Sequence, residues 1–454
     1  MGYIAYADMK RHSNAESTGS DGATSLLRYN LPSHSLMAQA VAMYNWDIDD
    51  KCSSLNITAD YLSRSAADKI TTHTTDAGGT RQATTSARQA SDMLRIRPIW
   101  KKVMRNNDEL TAGLDYQYTN LHESNHGGTA TASTHATGHT PAMFATYTGH
   151  IADELTYEAG LRAQYDKMDV NTEGTRNRYS RWSVNPSASL TYDIDKQRGH
   201  TITLQYEHYT DQLPYGAIST FRNYLEPNHY ATGNPAIKPS SGDMGQITLT
   251  LHGKFTMYAR YYYDKNPIYF TNETDPDDPR LLRSMPRNGH YEQDFSIGME
   301  QSLKPLKWWS LKATERFGLS SASTPDWKVS GQTYWTFLID NDLKFTPTFG
   351  GGIYAYIDPK RHTGDETWGT VWEITCSLYK TFLNDRLTLS LYAKPYRKGR
   401  TVTVDNGLYR SVRRTMTKEE YLSLTLRFDF GSGKMKPRPA ARSTQTYQKI
   451  EKTL

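Results

Sequence analysis

Along most of this chain apolar and polar side chains alternate one by one. Near the C-terminus Leu422, Leu424, Leu426, Phe428 and Phe430 are interleaved with Tyr421, Ser423, Thr425, Arg427 and Asp429. Leu155, Tyr157, Ala159, Leu161, Ala163 and Tyr165 alternate with Thr156, Glu158, Gly160, Arg162, Gln164 and Asp166, and the pattern recurs at 372–378 and 387–394. A period of two predicts strands with one apolar and one polar face. The polar face is a wet one, because in the second example it carries three charges.

The connections between these segments sort by length. Short turns are expected near 47–51, 101–107, 152–153, 193–199, 253–254, 304–307, 340–342 and 384–385. Longer polar loops are expected at 9–35, 64–87, 120–140, 167–178, 212–242, 266–289, 321–327, 357–366 and 399–419. Eight short hairpins with a first and a last strand predict 18 strands. Short turns at one end and long loops at the other are the habit of transmembrane antiparallel β-barrels, with the long loops outside and the short turns in the periplasm. The expected fold class is therefore all-β, a barrel across the outer membrane, with the C-terminal tail periplasmic.

Composition supports this reading. Only 37% of the 454 residues are hydrophobic, little for a soluble protein of this size, and mean hydropathy is −0.72. A barrel tolerates that, since each strand presents lipid with every second residue only. No apolar run approaches the roughly 18 residues of a membrane helix. The 32 Tyr and 9 Trp suit two interfacial girdles: Trp46, Trp100, Trp308 and Trp309 stand beside short turns, and Trp182, Trp327 and Trp368 beside long loops. One strand departs from the rule. Glu315 shares a row with Leu311, Ala313 and Phe317, so a bulge or a local lumen contact is expected there.

Charge and cysteine change the picture little. Net charge is +5, but the segment after Gly433 holds six basic residues against Glu451 alone, which leaves 47 of each sign in the body. No nucleic-acid partner is expected. With Cys52 at a turn and Cys376 in a lipid-facing row, no disulfide is expected, and the count forbids a four-cysteine metal site. The start lacks the features of a secretory signal, so the chain is read either as a mature form or as a fragment. Residues 1–431 are expected to form the barrel and 432–454 a basic, flexible tail.

Two segments carry a family resemblance. Tyr230-Ala-Thr-Gly-Asn-Pro-Ala-Ile-Lys-Pro-Ser resembles the Gly-Asn-Pro-x-Leu-x-Pro segment in the barrels of TonB-dependent receptors, with Ile237 in place of Leu. The closing run from Leu424 to Gly431 is similar to the last barrel strand of the Bacteroidota-type members of that group. The resemblance implies a barrel of about 22 strands around a plug, of which about 18 are visible here and the first four or so, with the plug, are not. It further implies uptake of an external chelate, glycan or peptide, and partnership with outer-membrane lipid. An inner-membrane TonB complex is implied only where a plug and an energy-coupling segment are present. On the residues themselves, Pro235 and Pro239 fix φ and lack amide donors, so they are expected to hold the segment extended outside the ladder.

Other motifs take bland readings. His122, His126, His135 and His139 form two His-x-x-x-His pairs, but Gly127, Gly128 and Gly138 oppose a helix, so a solvated loop is expected rather than metal capture. Asp275-Pro-Asp-Asp-Pro279 reads as an acidic turn. No catalytic residue, metal ligand or cofactor is assigned and the ligand-binding residues stay open. The leading expectation is a receptor or transporter rather than an enzyme; the alternative is a structural or adhesive surface barrel that binds an external partner without transport.

Overall fold

The computed structural model describes residues 2–18, 24–49, 52–76, 79–127, 130–226, 229–278, 282–363, 366–397, 401–405, 410–414 and 421–428; the tail 432–454 lies outside them. Its body is one antiparallel sheet of 18 strands, each paired with its neighbour in chain order from Gly2–Thr18 to Tyr421–Phe428. Burial inverts the rule of a soluble protein. In Glu109–Gly127, Leu114 and Tyr116 are exposed while Asp115, Gln117, Thr119 and Leu121 are buried. In Thr175–Asp195, Trp182 and Val184 are exposed and Ser183 is buried between them. The apolar row therefore faces outward and the polar row faces the lumen, as a barrel wall in lipid requires.

Strand number follows expectation, whereas strand length does not. The first eight strands run from 17 to 26 residues, about twice the 9–11 that cross a bilayer. Residues 9–35, 64–87, 120–140 and 167–178, expected as loops, are instead largely strands that continue beyond the apolar belt. Polar residues fill both rows there, so alternation of hydropathy disappears while backbone pairing persists. One such hairpin turns tightly at Glu173 and Gly174, with φ of 50° and 85°, the type I′ geometry whose twist matches the strands. The following strands are shorter, 11 residues each at His200–Thr210, Ser241–Leu251 and Phe255–Lys265. Their connections at the same end, 211–240 and 266–290, are the longer ones. The wall is thus tall on one side and capped on the other.

Three local expectations are corrected. Asp340 and Asp342 do not mark a turn: Lys328–Thr346 runs through them and the hairpin closes at 347–348. Asn341 between them is held by the Trp309 indole, which donates to its Oδ1 at 2.9 Å, and itself donates to the Ile353 carbonyl. Glu315 causes no bulge. It is paired in unbroken register between Met299 and Phe337, because a one-residue slip would turn the outward Phe317 and Leu319 into the lumen. Trp327 and Trp368 belong to the loop caps rather than to a girdle.

The lumenal row contains a recurring cross-strand device. Tyr258 is paired with Gly298, Tyr334 with Gly318, and Tyr379 with Gly350, and a Cβ on any of these glycines would overlap the tyrosine ring. Each ring therefore lies across the bare backbone of its neighbour and covers the ladder there. The guanidinium of Arg316 sits 5.1 Å over the Tyr334 ring while it donates to Asp294 at 2.9 Å. Substituting Gly318→Val should force Tyr334 off its site and destabilise the barrel by about 1–3 kcal/mol. Gly245→Ala, which meets nothing within 4 Å, should change stability by less than about 0.5 kcal/mol. Urea unfolding in detergent, followed by the mobility of unheated samples on SDS gels, measures both.

Candidate functional site

The long-loop end is built from one inward fold. After His200–Thr210 the chain turns into the lumen, and Pro214 opens a single helical turn, Tyr215–Ile218. Leu213, Tyr215, Ala217, Ile218 and Ile237 then pack against Leu121, Ala136, Met168 and Val170 of the tall wall. Their polar groups are matched as well. The hydroxyls of Thr134, Thr172 and Ser219 form a buried triangle with edges of 3.1, 3.4 and 3.2 Å, and Asn177 Nδ2 donates to the Ile218 carbonyl at 3.2 Å. A cavity of about 40 Å³ remains beneath the segment, room for a few waters at most.

The Gly-Asn-Pro segment locks this fold. Gly233 donates to the Ser219 carbonyl at 2.7 Å and Asn234 to the Ala217 carbonyl at 2.6 Å. A Cβ on Gly233 would collide with the carbonyl oxygens of Gly216 and Ser219, so glycine is required here for close approach of two backbones. Pro235 does not hold the chain extended, as its fixed φ suggests; it occupies the second position of a turn closed by Ile237 N donating to Asn234 O at 3.0 Å. Pro239 is fully buried. Asn234 Nδ2 donates to the Pro286 carbonyl, and Asn288 exchanges hydrogen bonds with the Lys238 backbone. The motif thereby clamps one long loop to the other.

The two loops also share a small sheet made of Asn223–Glu226, His229–Ala231, Ile268–Thr274 and Leu282–Asn288. Asp275 anchors its edge. Its carboxylate is buried, accepts the amides of Asp277 at 2.7 Å and Asp278 at 3.2 Å, takes a short hydrogen bond from the Tyr230 hydroxyl, and lies 3.5 Å from Arg222. The hydrogen bond from Tyr230 and the two amides hold its pKa below the ordinary carboxylate range. Burial and the neighbouring carboxylate push Tyr230 up to about 12. The Asp-Pro-Asp-Asp motif is thus an acidic turn with a defined structural task. A second small sheet joins Arg361–Thr363 and Glu366–Trp368 to Thr401–Asp405 and Arg410–Arg414.

Below the mouth a chain of lumenal side chains connects wall and loop. Arg95 holds Asp115 through two bonds of 2.8 and 2.7 Å, and Arg162 reaches the same carboxylate at 3.2 Å. Arg162 continues to Gln164, Gln164 to Asp166, and Gln212 at the base of the loop donates to Asp166 at 2.9 Å. The chain crosses the strand between Glu109–Gly127 and Leu155–Thr172 where Ala142 leaves space. On the cap, Phe270 is 63% exposed, a large aromatic surface outside the apolar belt. Sequence reasoning passed over it, since one aromatic inside a polar loop carries no periodic signal.

The four histidines come apart. They lie on strands: His122 is paired with His135 at 6.4 Å between ring centroids, while His126 is opposite Thr131 and His139 opposite Tyr118. The four-residue spacing along a strand separates each sequence pair by about 13 Å. Among the described residues no group of three or more His, Cys, Asp or Glu is placed to hold a metal ion.

The model of the outer membrane protein beta-barrel family matches residues 46–428. The chain belongs to this family. Its place is therefore the outer membrane, and the outward apolar row is its lipid-facing surface. No curated protein gives a match. Among solved structures it is similar to the ferric yersiniabactin uptake receptor FyuA from Yersinia pestis, at 11% identity and a TM-score of 0.54 over 93% of this chain and 80% of that one. The siderophore receptor PiuA from Acinetobacter baumannii gives 9% and 0.54 over 94% and 82%. The copper transporter OprC gives 10% and 0.53 over 85% and 74%. At these identities the likeness is one of fold.

Two consequences of the mouth's geometry are measurable. Gly233→Ala should loosen the inward fold by about 1–3 kcal/mol, seen as faster amide exchange in 211–240 with the wall strands unchanged. The cap should also open at both pH extremes. The contribution of Asp275, whose folded pKa is depressed, is present above the ordinary carboxylate pKa of about 3.9 and lost as pH falls through the lower folded value. That of Tyr230, whose pKa is raised, is present below about 10 and lost as pH rises through about 12. Pepsin cleavage within 211–290 should rise steeply below pH 4 in the native protein, and Asp275→Asn should be cleaved even at pH 5.

Proposed function

We propose that this family member is the wall and mouth of an outer-membrane receptor and transporter that takes up an external chelate, glycan or peptide. In this reading the long-loop end faces outside, and the short turns and the tail 432–454 face the periplasm. Residues 1–431 form the barrel, and where the full-length protein carries a plug and an energy-coupling segment, a TonB complex drives passage. The observation that carries the reading is the continuous polar lining from Arg95 through Asp115, Arg162, Gln164 and Asp166 to Gln212. An adhesive barrel needs outer loops but gains nothing from a hydrated, charged lumen joined to its mouth. The ferric yersiniabactin receptor and the copper transporter with the same fold are named for solutes of the chelate and metal kind.

The test is uptake by cells with and without the gene, using radiolabelled ferric chelates, oligosaccharides and oligopeptides. One class should lose energy-dependent uptake in the deletion strain, and a protonophore should abolish the same uptake in wild type. Phe270→Ala should raise the half-saturating concentration about tenfold while leaving the maximal rate intact. Unchanged uptake of every class, together with loss of whole-cell binding to immobilised matrix proteins, would establish the adhesive alternative instead.

A further inference from the structure

The tall side of the wall has an outward surface that neither the lumen nor the mouth explains. Directly beyond the apolar belt of Tyr61, Leu94 and Tyr116, the outward rows of strands Ser53–Asp76, Gly79–Val103 and Glu109–Gly127 change character. Ser65, Ala67, Ala90 and Ser124 are small, and they floor a groove of about 440 Å³ that runs into a second of about 420 Å³. Lys69, Arg88, His122 and His126 stand around it, and Leu36, half exposed, closes its lower end. Further round the same face Lys167, Arg176 and Arg178 are exposed. Against these five Lys and Arg residues stand three acidic ones: Asp169 holds Arg176 and Arg178, Asp92 accepts from the Tyr61 hydroxyl, and Asp68 lines the second groove. The surplus is therefore cationic.

Three features meet here: a concave floor of small residues, a cationic rim and an apolar belt immediately below. A molecule that fits all three carries acyl chains and an anionic head on one body. We infer that this face binds a phosphorylated glycolipid of the surrounding outer leaflet, its phosphate between Lys69 and Arg88 and its acyl chains against Leu36, Tyr61 and Leu94. Charge explains the choice of an anion over a metal at His122 and His135, since Arg176 lies on the same row two strands from His135. The inference rests on the reading that the long-loop end faces outside.

The experiment uses the full chain in neutral detergent, titrated with bisphosphorylated lipid A, its dephosphorylated counterpart and phosphatidylglycerol, with thermal unfolding as the readout. Phosphorylated lipid A should bind most tightly and weaken steeply with salt. Lys69→Glu with Arg88→Glu should weaken it about tenfold or more, whereas Lys254→Glu with Lys304→Glu at the short-turn end should not. Equal binding of the dephosphorylated lipid or of phosphatidylglycerol overturns the proposal, and this comparison needs only wild-type protein should the double variant fail to fold. An epitope inserted after Gly174 reports orientation separately. Labelling on intact cells with no lipid preference rejects the glycolipid site alone, and labelling only after permeabilisation rejects the orientation.

Discussion

Backbone pairing in hydrocarbon governs this molecule. Within lipid an unsatisfied amide or carbonyl costs several kcal/mol, so the backbone must stay paired from strand to strand through the belt, and no helix or loop can interrupt it. Where side chains leave the ladder bare, as at Gly298, Gly318 and Gly350, a tyrosine from the adjacent strand covers it. The tolerance of Glu315 in an outward row follows from the same rule. Keeping one carboxylate on the wrong face leaves the register of Phe317 and Leu319 intact, and a bulge would sacrifice both.

Much of this was legible in the sequence, for a physical reason. Inside the belt the two faces meet different solvents, so alternation is strict in 155–166 and 421–428, and strand number could be read from the short turns that separate such segments. Beyond the belt both faces meet water and the pattern vanishes: 64–87 and 120–140 look like loops because Thr, Ser, Ala and His fill both rows. Turn chemistry also misleads when tertiary bonds override it. Asp340-Asn-Asp reads as a turn, yet the Trp309 indole and the Ile353 carbonyl hold Asn341 within a strand.

The mouth was legible only as a motif. Gly233, Asn234 and Pro235 were recognisable as a unit, but what they do depends on partners far along the chain: carbonyls at 216–219, the Pro286 carbonyl and Asn288. A sequence cannot display the close approach that excludes a Cβ at Gly233, nor the engagement of Asp275 by Tyr230, 45 positions away. The histidines mark the converse failure. Their four-residue spacing is conspicuous in the sequence, and the strand geometry removes its meaning.

Energetics then limit how the mouth can work. Burying Leu213, Tyr215, Ile218 and Ile237 against the wall is worth roughly 1.5–3 kcal/mol each, an upper estimate, before the hydroxyl triangle and the bond from Gln212 to Asp166 are counted. These contacts offset the chain entropy of ordering the segment, and together they seat its helical turn on the wall. Residues 213–218 and 233–237 are thereby held against the wall as one packed unit. The anchored loop fixes the position of the cap sheet relative to the wall, because the Gly-Asn-Pro turn is bonded at once to the inward fold and to the second loop.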